Sequence, residues 1–129
     1  MIEPRFLLDT SICIYVLEGI GTSLRSRIEQ HVPGELVTSA ICHAEVMKGL
    51  LGADAGRRAQ AERLFDLFEV MPFDRDASLA YGGLPFRRGS FGRLIAAHAL
   101  SLGLTLVTNN EADFADVPGL KVENWTLPL

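Results

Sequence analysis

The apolar runs of this sequence are short, and each breaks off at a residue that starts helices well. Phe6-Leu7-Leu8 ends at Asp9-Thr10-Ser11, Leu36-Val37 ends at Thr38-Ser39, and Leu104-Thr105-Leu106-Val107 ends at Thr108. Runs of this length between polar residues read as strands covered on both faces, while Asp, Thr and Ser are the residues that cap helix N-termini. The stretches between them carry helical periodicity. A helix is expected from Asp9-Thr10-Ser11 to Leu17, closed by Gly19 and Gly21, and another from Thr22 or Ser23 with Leu24 and Ile28 four apart. Pro33-Gly34 marks a turn, and a helix carrying Ile41, Ala44, Val46, Met47 and Leu50 follows Thr38-Ser39. After Gly52, Ala61, Leu64, Phe65 and Phe68 recur at helical spacing before a third strand at Val70-Met71. Positions 74–84 form a further helix, ended by Pro85, and Ser90 caps a last one with Leu94, Ile95, Ala97, His98 and Leu102, stopped by Gly103. A short helical turn near Asp113-Phe114 and a strand near Lys121-Val122 complete the pattern. Short strands alternating with helices predict an α/β fold around a short, mainly parallel central sheet flanked by helices. Sites in such sheets gather at the carboxyl ends of the strands, which points to Asp9 and to Thr108-Asn109-Asn110.

The 129 residues suit one domain over 1–129, and hydrophobic residues at 48% against 22% charged supply a core and argue against disorder. No apolar run approaches the length needed to cross a bilayer, and Met1-Ile2-Glu3-Pro4-Arg5 lacks the features of a secretion signal, so a cytoplasmic protein is expected. The two cysteines, Cys13 and Cys42, sit within apolar helical patterns and read as buried reduced thiols. A net charge of −4 argues against binding nucleic acid by bulk electrostatics, but leaves room for a nuclease whose acids are gathered at a metal site.

Each acidic candidate has an ordinary reading: Asp9 as a helix cap, Glu45 on a solvated face, Asp113 as a turn residue. Taken together they carry more. Phe6-Leu7-Leu8-Asp9-Thr10-Ser11 resembles the opening motif of PIN domains, and Thr38-Ser39-Ala40-Ile41-Cys42-His43-Ala44-Glu45 resembles their second. Leu94-Ile95-Ala96-Ala97-His98-Ala99 is similar to the third, and Leu106-Val107-Thr108-Asn109-Asn110 with Asp113-Phe114 is similar to the fourth. The ending Val117-Pro118-Gly119-Leu120-Lys121-Val122-Glu123-Asn124-Trp125 resembles that of VapC toxins, so the likeness runs along the whole chain. It implies a PIN-like three-layer fold and a metal-dependent endoribonuclease, the toxin of a type II toxin–antitoxin pair. The residue types suit that chemistry, because hard Mg²⁺ or Mn²⁺ prefers oxygen ligands and keeps waters, and metal-bound water is a nucleophile for phosphodiester hydrolysis. On the resemblance, Asp9 and Glu45 hold the metal, while Thr10 or Ser11, and Thr108, orient water or a carboxylate. The fourth acidic position falls to Asn110, acting through water, or to Asp113 acting directly.

The departure from the family pattern is Gly92. Three positions before Ile95, where relatives carry an aspartate that would complete the metal site, this chain has glycine, and no carboxylate lies between Asp76 and Glu111 to replace it. Glycine is tolerated at a helix start, yet aspartate there would complement the helix dipole. A single nucleotide change converts an aspartate codon to glycine. The expectation is a weakened ribonuclease, through an engineered, selected or natural substitution.

Arg87, Arg88 and Arg93, flanking Gly92, and Lys48, one turn beyond Glu45, are candidate phosphate contacts. The resemblance implies structured RNA, a tRNA first of all, as substrate. It also implies a VapB-like antitoxin lying in an apolar groove, to which Leu64, Phe65, Leu67 and Phe68 could contribute, and a homodimer formed near Tyr81 to Phe86. His98 reads as a packed helix residue. A PIN module that binds antitoxin or RNA without cutting is the main alternative. A flap-type DNA nuclease ranks lower for want of extra helical insertions, and a nucleotide-binding α/β protein lower still, because no Gly-rich loop follows a strand.

Overall fold

Strand β1 (Phe6–Leu8) lies at the centre of a five-stranded sheet and pairs in parallel with β2 (Leu36–Ser39) on one side and β4 (Thr105–Val107) on the other. The computed structural model describes residues 2–87 and 90–128. Strands β3 (Glu69–Met71) and β5 (Val122–Glu123) are the outer members, in the order β3-β2-β1-β4-β5, and every strand pair is parallel. The register Leu8↔Thr38 and Leu8↔Val107 sets the carboxyl ends of β1, β2 and β4 side by side.

Because side chains alternate across a strand, Phe6 and Leu8 face one core and Leu7 the other. On the first face, α1 (Thr10–Glu18), α2 (Thr22–Glu29) and α4 (Ala55–Leu67) bury Ile12, Leu24, Leu64 and Phe65 with Trp125. On the second, α6 (Gly92–Leu102) buries Ile95, Ala96 and Ala99 against Leu7, Val37 and Leu106, with α5 (Arg75–Gly82) packed outside it. Helix α3 (Ala40–Gly49) serves both, Val46 and Leu50 facing the first core and Cys42 the second. Helices, sheet and helices make the three layers the sequence predicts.

The caps of α1 and α3 follow the sequence, whereas the N-cap of α6 is Phe91 in place of the expected Ser90, whose hydroxyl accepts the Gly92 N–H from one residue earlier. Asp9 accepts from the Ile12 N–H at 3.0 Å and Ser39 from the Ile41 N–H at 3.0 Å, each turning a strand directly into a helix. Helices α1 and α6 end on Gly19 and Gly103, both at φ 70, a left-handed conformation that favours glycine. Cys13 and Cys42 are free and buried, and burial pushes the Cys13 thiol well above its ordinary range and Cys42 to about 11.

Candidate active site

The turn from β1 into α1 buries Asp9, which is 7% exposed, at the carboxyl edge of the sheet. Its Oδ1 accepts the Ile12 N–H and, at 3.2 Å, the Ser11 hydroxyl. Burial raises its pKa; bonds from Thr108, Ile12 and Ser11 partly oppose this, and the neighbouring Glu45 charge adds to it. Glu45, half-buried on the second turn of α3, accepts the Thr10 hydroxyl at 2.6 Å. The two residues after the Asp9 cap thus each hold a site group: Thr10 fixes Glu45, and Ser11 reaches both Asp9 and, at 3.0 Å, the side-chain amide oxygen of Asn109.

Thr108, fully buried at the end of β4, receives the Asn110 N–H on its Oγ at 3.1 Å and bends the chain into the short 3-10 turn Glu111–Phe114. There Asn110 Nδ2 donates to Asp113 Oδ2 at 2.6 Å, so both candidates for the fourth position sit together and exposed. Gly92 opens α6 beside this turn, next to the Phe114 ring, with its N–H on Ser90 Oγ at 3.0 Å. A cleft of about 330 Å³ is lined by Asp9, Glu45, Gly92, Thr108, Asn110 and Asp113 together with Thr10 and Ser11. All eight are residues the sequence singled out. Asn109, which joins Ser11 to the Tyr15 hydroxyl (2.8 Å), was not among them; its position inside Thr108-Asn109-Asn110 was the available signal.

The basic residues distribute differently. Arg93 is a correction to the sequence reading: only 2% exposed, it points inward and donates to Asp116 at 2.6 Å and to the Asp113 carbonyl at 3.3 Å. A guanidinium enclosed under this turn cannot meet a phosphate; it ties the turn to α6. Arg87 stays exposed, 3.6 Å from Asp113 and 3.9 Å from Asp116. Lys48 is exposed on α3 but outside the cleft lining, and Arg88 lies outside the described residues. His98 is fully buried, its Nδ1 2.7 Å from Ser39 Oγ and its ring against Phe73, and does not line the cleft.

Residues 6–120 match the PIN domain family. The tRNA(fMet)-specific endonuclease VapC of Shigella flexneri is 32% identical over 133 residues, covering 95% of this chain and 98% of that protein. The chain belongs to the PIN-domain family, on its VapC branch. Solved VapC-containing structures superpose on this PIN fold throughout. DNA-bound VapBC from Salmonella typhimurium gives a TM-score of 0.83 at 29% identity, covering 95% of this chain and 98% of that one. VapBC2 from Rickettsia felis, bound to a DNA fragment from its promoter, gives 0.83 at 26%, covering 94% and 98%.

PIN-domain nucleases are generally dependent on a divalent metal, and the donor set here fits one in reduced form. Asp9 and Glu45 are two convergent carboxylates, and among the described residues no Lys, Arg or His forms an ion pair with either. Two carboxylates plus waters suffice for a hard octahedral cation. Among the described residues, no three His, Cys, Asp or Glu side chains converge on one metal position, and Gly92 lines the cleft without a side chain.

Proposed function

We propose that this chain is an endoribonuclease toxin of the VapC kind, acting on structured RNA with a tRNA as the leading substrate, and weakened in this form by Gly92. What carries the reading is a buried Asp9 carboxylate beside Glu45, at the carboxyl edge of a parallel sheet and without a basic partner among the described residues. A buried charge of that kind is costly unless something neutralises it. Asp9 and Glu45 would hold Mg²⁺ (or Mn²⁺), which when bound supplies Lewis acidity at the phosphate and acidifies water. Thr10 fixes the Glu45 carboxylate, and Thr108 with the Ile12 N–H fixes Asp9, so each carboxylate is held in one geometry at the cleft. Asn110 and Asp113, bonded to one another, would position water or the scissile phosphate from the facing turn. Arg87 is the cation in reach of substrate at the rim, once it exchanges Asp113 and Asp116 for phosphate.

A VapB-like antitoxin would cover the chain, as the VapBC complexes of relatives suggest. Leu64, Leu67 and Phe68, with Val16 and Leu17, line a shallow groove that suits a docked helix, Leu64 and Phe68 being its buried floor, whereas Phe65 belongs to the core alone. Exposed Leu79, Tyr81 and Phe86 would supply a homodimer contact. No helix of the described residues is long and apolar enough to cross a membrane, and we place the protein in the cytoplasm. The lack of a three-ligand cluster among the described residues favours one second reading, a PIN module that binds antitoxin or RNA without cutting it.

The two readings separate on Gly92→Asp. A Cβ there meets Ser90 Oγ at 3.0 Å and the Phe114 ring at 3.5 Å, so only an exposed serine hydroxyl has to shift. Gly92→Asp is expected to raise RNA cleavage by on the order of 10²–10³, the usual worth of one electrostatic contact in an active site. Equal cleavage by the two forms would remove the weakened-enzyme reading, and no cleavage by either would leave the binding module.

A further inference from the structure

We infer that Phe91 is a stacking platform for an unpaired base of the RNA; the inference rests on the nuclease reading above and names how the cleft holds its substrate. Phe91 precedes Gly92 at the start of α6 and lines the same cleft as Asp9, Glu45 and Asn110. Its backbone is committed to the helix, its carbonyl accepting the Ile95 N–H at 3.1 Å, while its side chain remains 58% exposed. Phe114, the other aromatic of this wall, is 7% exposed and packs beneath Gly92, so it cannot offer a face. Phe91 alone of the two presents an aromatic ring to solvent beside the carboxylates.

The electrostatics of the cleft give that ring its role. Its described lining contains three carboxylates, Asp9, Glu45 and Asp113, and no Lys or Arg. Arg93 is enclosed, and Arg87 is shared between two aspartates. Counterion release, the ordinary source of nucleic-acid affinity, is therefore poorly supplied where the chemistry takes place. Stacking on an aromatic face is indifferent to charge and tolerant of sequence. Inside a duplex both faces of a base are already covered by its neighbours, so the ring can take only a base that is unpaired or turned out of the stack. A cleft of about 330 Å³ is on the scale of one nucleotide rather than a paired stem. A base seated on Phe91 would bring the adjoining phosphate toward Asp9 and Glu45.

The test uses the chain as it stands, with a fluorescein-labelled single-stranded RNA hexamer in Ca²⁺ to suppress turnover, and anisotropy as readout. Phe91→Ala and Phe91→Leu should each weaken hexamer binding about five- to a hundredfold, and Phe91→Tyr should retain it. In Phe91→Trp, the emission of the new indole should be quenched by the hexamer and unchanged by the same sequence as a duplex. Trp125 is fully buried, and titration of the unsubstituted chain subtracts its signal. Undiminished binding by Phe91→Ala, or equal affinity of the Leu and Tyr forms, overturns the stacking role and leaves the nuclease reading intact. A change of oligomeric state at unchanged RNA affinity would instead assign the ring to a contact between copies. No hexamer binding by the unsubstituted chain overturns the stacking role and counts against the nuclease reading as well.

Discussion

Two polar regions of this molecule treat their charges in opposite ways. Around Trp125, every group is matched. The indole N–H donates to Glu123 at 2.8 Å, Glu123 pairs with Arg27 at 3.2 Å, and the Arg27 guanidinium lies over the ring at 5.3 Å. His31 stacks on the same ring at 5.2 Å and lies 3.7 Å from Glu35, which also takes Arg5 at 3.0 Å. At the Asp9 cleft the reverse holds: two carboxylates share a small volume, and hydroxyls and backbone hold them in place without neutralising them. A fold seeking only stability would have built the second region like the first. What distinguishes them is that one is complete within the chain and the other awaits a charge from outside.

Substitutions can break or sharpen that contrast. The largest effect belongs to the matched region: Trp125→Ala removes a fully buried indole that packs on Phe6 and His31, and should cost about 3–5 kcal/mol in urea unfolding. A cost below about 1 kcal/mol would mean that this corner does not secure the fold. In the cleft the sign reverses. Asp9→Asn keeps the cap on α1 and removes a charge held at a raised pKa, so in EDTA at neutral pH it should stabilise the chain by about 0.5–2 kcal/mol. Because the native pKa is raised, the penalty on the unsubstituted chain builds as pH rises from the ordinary carboxylate value to the raised one and is constant above it. The gain should therefore be full above the raised pKa and vanish below the ordinary carboxylate range, where both states bind the proton. Added Mg²⁺ should erase the gain by stabilising the unsubstituted chain. A smaller effect lies between the two regions. Arg93→Met loses the bonds to Asp116 and to the Asp113 carbonyl but also removes a buried Nη1 that has no partner among the described residues, and should cost about 1 kcal/mol net. A loss of RNA affinity at unchanged stability would return Arg93 to the role of phosphate contact.

The sequence was informative where function and fold use the same local chemistry. Strands covered on both faces are unbroken apolar runs, and their ends are marked by the residues that cap the next helix, so Asp9 and Thr108 were visible as strand ends and as site positions together, and Ser39 as the cap of the helix that carries Glu45. Glu45 and Gly92 were visible by resemblance to the family motifs, and both line the cleft. Residues whose role depends on distant partners were not legible in this way. Arg93, a single charge in the first turn of a helix, reads as surface charge until Asp116, 23 residues on, closes over it. Asn109 acquires its place from Ser11, 98 residues away in sequence, which no local pattern reports. Leu64, Phe65, Leu67 and Phe68 cover more than one side of α4, and only the packed structure separates Leu67, half in solvent, from its buried neighbours.

The two thiols acquire a use from their position. Cys13 lies three residues into the helix that Asp9 caps, and Cys42 lies on the helix that carries Glu45; both are buried, and Cys13 Sγ is 3.5 Å from Thr38 Oγ. A buried thiol with a raised pKa reacts only while its surroundings are open. Alkylation of this chain in its native state therefore requires α1 or α3 to part from the sheet, and its rate follows the population of that open form when reclosing is faster than reaction. The protein carries its own clock for opening of the scaffold beneath the cleft, with no added label, and a ligand that ties Asp9 to Glu45 would slow it.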